Sequence, residues 1–242
     1  MSHTSKNPVS KYSTANLPTN ASVGTVAYDT DKEELVFYKE GGFWDSLGGA
    51  GIDAITDTYI INELTNEILS VSGDIPQDWA SGCSNYTSVV IGSSAETIGQ
   101  DAFNRQICAT VLKFKGYLNI PVGVKYIKQG AFFNNAFTGT IVLPEGLIEI
   151  DRYAFGALNE LDSYLGFVIP SSVETIGDFA FTNLPSQRID CYTTKDVFSA
   201  NSLGSWLAVS PELHVPTNDT TFTAGPNQTI GGQSLIEVIK DL

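Results

Sequence analysis

The sequence predicts a mainly β protein in two parts. A small three-stranded β-module occupies residues 1–50, a solenoid of stacked coils with a C-terminal cap occupies 67–242, and a glycine-rich joint covers 51–66. Three observations lead there. The stretch VVIGSSAETIGQDAF, from Val89, returns nearly intact as FVIPSSVETIGDFAF from Phe167. Ala-Phe pairs recur at Ala102-Phe103, Ala131-Phe132, Ala154-Phe155 and Ala180-Phe181. The first fifty residues follow another pattern, in which short apolar runs alternate with turn-rich segments.

In that N-terminal part, GTVAY (24–28), LVFY (35–38) and FWDSL (43–47) are separated by DTDKEE and KEGG. Short runs rich in β-branched and aromatic residues, broken by turn formers, predict a meander. Three short strands bury little, so the module needs a neighbour or a second copy for stability. The string NLPTNASVGTVAYDTDKEELVFYKEGGFWDSLG resembles a module found near the ends of bacteriophage tail-fibre and other virion proteins, notably of marine phages. The residues that carry the resemblance are Leu17, Pro18, Gly24, Tyr28, Asp29, Leu35, Tyr38, Trp44 and Leu47. It implies docking onto other virion proteins.

The joint reads GGAGIDAITDTYIINELTNEIL, with Gly48, Gly49 and Gly51 as its flexible points. Two arrangements satisfy residues 53–68. Ile61, Leu64 and Ile68 recur at helical spacing, which fits a short amphipathic helix bundled in a homo-oligomer such as a trimer. The other arrangement makes the C-terminal half the first strand of the solenoid.

Within the solenoid, each Phe of the four Ala-Phe pairs has an isoleucine five residues before it: Ile98, Ile127, Ile150 and Ile176. Ala95, Val124, Leu147 and Val173 precede those, and Gly92, Pro121, Pro144 and Pro170 stand further upstream. Before each turn comes an alternating apolar pair: Val89/Ile91, Leu118/Ile120, Ile141/Leu143 and Phe167/Ile169. The alternating pair marks a strand with one face inward. Proline removes a backbone donor and ends it. The Ile and Ala-Phe positions suit a short helical or irregular return whose apolar side chains face the strand. One such unit cannot bury its own apolar face, whereas stacked neighbours can.

The register extends in both directions. Ile75, Trp79 and Ala80 occupy the Ile, Ala and Phe positions of an earlier coil, while Ile189/Cys191 and Leu213/Val215 are later inward pairs. Turn positions 92, 121, 144, 170, 192 and 216 are spaced 29, 23, 26, 22 and 24 residues apart. Those intervals suit leucine-rich-repeat coils. The long first interval implies an insertion within residues 104–116.

ETIGDFAF with its V-I-P strand, and GCSNYTSVVIG as the link between coils, resemble the BspA-type leucine-rich repeat of microbial surface proteins over roughly residues 67–216. The Ala-Phe pair is lost after Phe181, and Leu69 replaces the proline of the first coil, so both ends read as degenerate capping coils. The resemblance implies a right-handed solenoid that adheres to surface proteins or glycans, and it implies no catalysis.

Composition narrows the possible partners. Thirteen basic residues against 27 acidic ones give a net charge of −14, which repels phosphate backbones and argues against a nucleic-acid partner. The segment MSHTSKNPVSKYSTANLP lacks the apolar core of a signal peptide, and no run approaches the ~18 apolar residues of a membrane span. Assembly in a host cytoplasm and residence in a virion is therefore the expectation, with a cell surface as the alternative.

Chemistry-bearing residues are sparse. Of the two histidines, His3 lies in the terminus and His214 sits between apolar strand positions, read as an outward surface residue; neither stands at triad or ligand spacing. Asp29 and Asp31 echo a calcium loop without its Gly and distal Glu, so a hairpin turn is the reading. Cys83, Cys108 and Cys191 are too widely spaced for a CxxC site and read as buried free thiols. No cofactor, metal or catalytic constellation is expected. Function then rests on surface. The outward positions Ser88 and Val90, Tyr117 and Asn119, Thr140 and Val142, and Gly166 and Val168 form the expected binding ladder across neighbouring coils. The expected role is a virion structural protein, as tail fibre or surface decoration, that presents this face to a host protein or glycan. A microbial surface adhesin is the alternative, and a glycan-degrading enzyme a weaker one.

Overall fold

The structure, a computed structural model, describes residues 11–17, 19, 26–29, 34–39, 43–46, 57–61, 68–81, 88–106, 114–116, 118–137, 139–158, 165–184, 188–203, 212–230 and 233–242. Near the N-terminus, β1 (Lys11–Tyr12), β2 (Val26–Asp29), β3 (Glu34–Lys39) and β4 (Phe43–Ser46) form one sheet in that order. Antiparallel pairing sets Asp29 opposite Glu34 and Lys39 opposite Phe43, which is the expected meander. β1 adds a fourth strand, parallel to β2. At two residues it is too short for alternation to reveal.

The joint contributes structure of its own. β5 (Asp57–Ile61) and β6 (Ile68–Ser72) form a hairpin, and β7 (Ser88–Val90) pairs antiparallel with the other side of β5. Within the described part of 53–68 the helical arrangement is not adopted, because residues 57–61 are strand and Ile61 and Ile68 are cross-strand partners; Leu64 lies outside the described residues. The hairpin is fastened to the first coil: the Gly92 N–H donates to the fully buried Thr58 hydroxyl at 3.1 Å.

The coils follow. In chain order their strands are β8 (Thr97–Ile98), β9 (Lys115–Gly116), β10 (Tyr126–Ile127), β11 (Ala136–Phe137), β12 (Gly139–Val142), β13 (Glu149–Ile150), β14 (Leu165–Ile169), β15 (Thr175–Ile176), β16 (Arg188–Cys191), β17 (Glu212–Val215), β18 (Gly225–Ile230) and β19 (Gln233–Lys240). One wall is a sheet in the order β12-β14-β16-β17-β19-β18, parallel except for its last pair. The opposite wall stacks β8, β10, β13 and β15 in parallel, and single bridges from Ile75 to Ile98 and from Ile176 to Phe198 lengthen it. The return was expected to be helical or irregular. Its Ile positions instead form this second ladder, because neighbouring coils offer each extended residue a partner at strand spacing.

Between the walls lies an apolar core. Phe103, Phe132, Phe155 and Phe181 are fully buried and stack face to face, with centroids 5.3, 5.3 and 5.7 Å apart and ring planes within 10° of parallel. Trp79 closes the row edge-on to Phe103 at 5.7 Å. Beyond Phe181 the column continues as fully buried Leu203, with Ser202 where Ala stood before. Phe198 and Phe222 extend the Ile column and meet edge-to-face at 6.2 Å. The degenerate coils thus keep the register with substituted residues.

Two residues before each stacked Phe, the backbone turns left-handed at Asp101, Gly130, Tyr153 and Phe179, with φ of 53°, 64°, 57° and 60°. This conformation aims each N–H at the next coil. Asp101 donates to the Gln129 carbonyl at 2.8 Å, Gly130 to Arg152 at 2.9 Å, Tyr153 to Asp178 at 3.2 Å and Phe179 to Asn201 at 2.9 Å. Holding a non-glycine residue there costs about 1–3 kcal/mol, and the coil-to-coil ladder over-determines it. Glycine takes this conformation without strain at position 130, where an added Cβ would displace the Asp101 carboxylate.

The insertion expected at 104–116 returns inward where it is described: Phe114 is fully buried, edge-on to Phe103 at 5.9 Å, and β9 pairs with β11. Buried Asn135 fastens it by accepting the Phe114 N–H at 3.1 Å and donating to the Phe103 and Phe132 carbonyls at 2.9 Å each. Leu118 and Ile120 enter the core from outside any strand. At the far end, β18 folds back antiparallel on β19 and occupies the edge that another parallel coil would use. Phe155 has stacked rings on both sides, so Phe155→Ala is expected to destabilise the chain by about 3–5 kcal/mol. Chemical denaturation measures this, and an unchanged midpoint would contradict the stacking register.

Candidate functional site

The broad parallel wall has two faces. Inward, Ile141, Leu143, Phe167, Ile169, Ile189, Cys191, Leu213 and Val215 are all buried. Strand alternation turns the residues between them outward, and the register aligns those residues in columns. One column runs Thr140, Gly166, Arg188, Glu212, Glu237, and the other runs Val142, Val168, Asp190, His214, Ile239.

Four of the eight expected face residues are therefore brought together: Thr140, Val142, Gly166 and Val168. Ser88 and Val90 are not. Their strand is occupied by the N-terminal hairpin, with Tyr59 opposite Val90 and Ile61 opposite Ser88, so they belong to a separate antiparallel sheet. Asn119 is exposed but lies outside any strand. Tyr117 lies outside the described residues. Arg188, Asp190, Glu212 and His214 were missed, although the inward pairs Ile189/Cys191 and Leu213/Val215 flank them. Carrying the alternation two coils further would have found them.

The face changes character along its length. At one end Val142 is 57% exposed beside half-buried Val168 and exposed Thr140, and Gly166 adds no side chain. At the other end the side chains pair among themselves. The Arg188 Nε donates to Asp190 at 2.6 Å. The expectation for His214 needs correcting: it is only 4% exposed, with Nδ1 2.8 Å from Asp241 and Nε2 3.2 Å from Glu212. Asp241 and Glu212, which stands two residues before His214 on β17, cover it. This surface has an apolar end and an ion-paired polar end.

Among the described residues no group of three His, Cys, Asp or Glu side chains is placed to hold a metal. Nor is any helix there long and apolar enough to cross a membrane. Of the three cysteines only Cys191 lies within the described residues; it is a buried free thiol, while Cys83 and Cys108 lie outside them. Burial removes solvent from the thiolate and pushes its pKa from 9.0 up to about 12, with the negative charge of Asp219 adding to the rise. The folded thiol thus stays neutral where the unfolded one ionises. Its contribution to stability is complete below about pH 9 and is lost as pH rises towards 12. Alkylation at pH 8, resolved by peptide mass spectrometry, is expected to leave Cys191 unmodified until denaturant is added. Rapid labelling of the native chain would contradict that burial.

The family described as BspA type leucine rich repeat region matches residues 73–203 in six copies, more than half of the chain. The match ends at Leu203, where the Phe column ends, while the broad wall continues through β17 and β19. Among curated proteins and solved structures nothing matches the chain.

Proposed function

We propose, since the chain belongs to the BspA-type leucine-rich-repeat family, that it is a surface-recognition protein whose solenoid supplies the adhesive face and whose N-terminal β-module attaches it to a virion. The observation that carries the recognition reading is the pair of outward columns across parallel coils. They form a rigid surface with Val142 exposed among small residues, and extended faces of this kind serve stacked-repeat proteins in binding. The reading involves no catalysis. An exposed apolar end beside a charged end offers contact area with an orienting polar rim, which suits a host-surface protein or glycan.

Attachment is assigned to the N-terminal module for two reasons. Its four-stranded sheet is unlike the repeats and lies outside the family match, and the residues from Leu17 to Leu47 resemble a virion module. A short sheet of this size gains stability on joining a partner or further copies of itself. The family itself favours a second reading, in which the solenoid serves as a microbial cell-surface adhesin and the N-terminal sheet docks within that surface.

A protein lacking residues 1–50 is expected to stay folded and keep its affinity for cells while failing to join particles. Complementing a deletion phage with it, and assaying incorporation by mass spectrometry apart from adsorption, tests the assignment. Incorporation at the full-length copy number would refute N-terminal attachment. On the face itself, Val142→Glu is expected to change stability by no more than about 0.5 kcal/mol, because the side chain is exposed. It should nevertheless weaken cell adsorption. Unchanged adsorption would remove the broad wall as the adhesive face.

A further inference from the structure

Away from the broad wall, the left-handed corners carry a second feature. Aspartate and glycine occupy these positions at Asp78, Asp101 and Gly130, as backbone strain favours, but the next two coils place Tyr153 and Phe179 there. The rings stack at 5.2 Å with planes 11° apart. Phe133 meets Tyr153 edge-on at 5.7 Å and fills the space beside Gly156, where a Cβ would stand only 2.9 Å from its ring carbons. Arg152 lies over the far end, 4.9 Å from the Tyr153 centroid. All three rings are only half-buried. The buried Phe row is complete without them, so the strain is not offset by core packing.

Gly130, the residue without a side chain in this column, lies beside Asp101, whose carboxylate stands where its Cβ would be. A cavity of about 310 Å³ opens there, with Phe133 and Tyr153 on one side and Asp101, Asn104, Gln106 and Gln129 on the other. The Asp101 carboxylate is oriented by Asn104 at 2.6 Å and Gln100 at 3.2 Å and retains further acceptor positions. The Gln106 and Gln129 side chains are exposed at the rim. Such a site combines aromatic walls with a few convergent polar groups at the lower end of ligand-pocket sizes.

The polar set selects the ligand class. Phosphorylated or sulfated ligands would meet Asp101 and the chain's net charge of −14. A purely apolar ligand would strand the amides. An extended peptide would need unpaired backbone groups, but the corner N–H groups are spent between coils. A neutral sugar ring fits each requirement. It has an apolar C–H face to lay on an aromatic ring, and hydroxyls that both donate and accept, as amides and a carboxylate need.

We propose that this corner groove binds a neutral hexopyranose unit of a surface glycan, with the ring against Tyr153 and Phe133 and its hydroxyls bonded to Asp101, Gln106 and Gln129. The assignment rests on the surface-recognition reading for its biological setting and places a second, separate site on the solenoid. The test is titration of the full-length protein with neutral tetrasaccharides of glucose, mannose and galactose, followed by calorimetry and saturation-transfer NMR. At least one should bind, with transfer from aromatic protons. Tyr153→Asn relieves the left-handed strain, so its melting temperature should hold or rise while affinity falls about tenfold or more. Gln129→Leu, at an exposed position, should weaken binding with the rings intact. Absence of binding to all three sugars, or Tyr153→Asn binding at full strength, would overturn the proposal. Cell adsorption measured in parallel separates the two readings: adsorption without sugar binding sinks the groove alone, and sugar binding without adsorption sinks the surface-recognition role alone.

Discussion

Everything in the solenoid depends on one spacing: each coil must lie a strand's width from the next. That distance lets main-chain groups of both walls reach across, and it also brings the phenyl rings of the core into face-to-face contact between 5.3 and 5.7 Å. The corners are fitted to the same rise. Phe103, Phe132 and Phe155 each donate their N–H to the neighbouring coil's alanine carbonyl at 2.8 Å, which ties the ring stack to the backbone ladder. A smaller residue in the Phe position loosens packing at both neighbours. A wider coil breaks hydrogen bonds in both walls together.

The same constraint explains what varies freely. Because each coil is fixed only at its walls and corners, chain added elsewhere does not disturb the spacing as long as it returns in register. The segment before β9 shows how: Phe114 re-enters beside Phe103, and Asn135 satisfies the backbone at the seam. The strained corners show the other limit. There the backbone is dictated and only the side chain is open to choice, so aspartate, glycine, tyrosine and phenylalanine share one conformation and give successive coils different surfaces.

Much of this was legible in the sequence, because the repeat states its inward positions several times over. The Ile and Ala-Phe columns, the alternating strand pairs and the place of the insertion all follow from self-similarity, as does the meander from its turn segments. The second parallel wall was not legible, since two extended residues per coil leave no alternation to read. Nor was the hairpin of β5 with β6, where Ile61, Leu64 and Ile68 match a helical stripe as well as a strand pair. The binding columns were half legible. Alternation gave Thr140, Val142, Gly166 and Val168, but it could not reveal that β7 leaves the ladder to pair with β5. The aromatic corner carried a weaker signal still: Tyr153 and Phe179 fall outside the consensus apolar positions and so read as ordinary variation.

The C-terminal hairpin has a consequence for valency. A stack of parallel coils ends in a strand whose outer edge is a template for another chain, and two such stacks joined end to end would grow into a filament. With β18 lying antiparallel along β19, that edge is spent within the chain itself. The sheet therefore ends on β18, and a further parallel coil cannot be added along β19. Avidity towards a dense receptor field must then come from setting copies side by side, where the spacing between chains, rather than the number of coils, decides how many receptors are engaged at once.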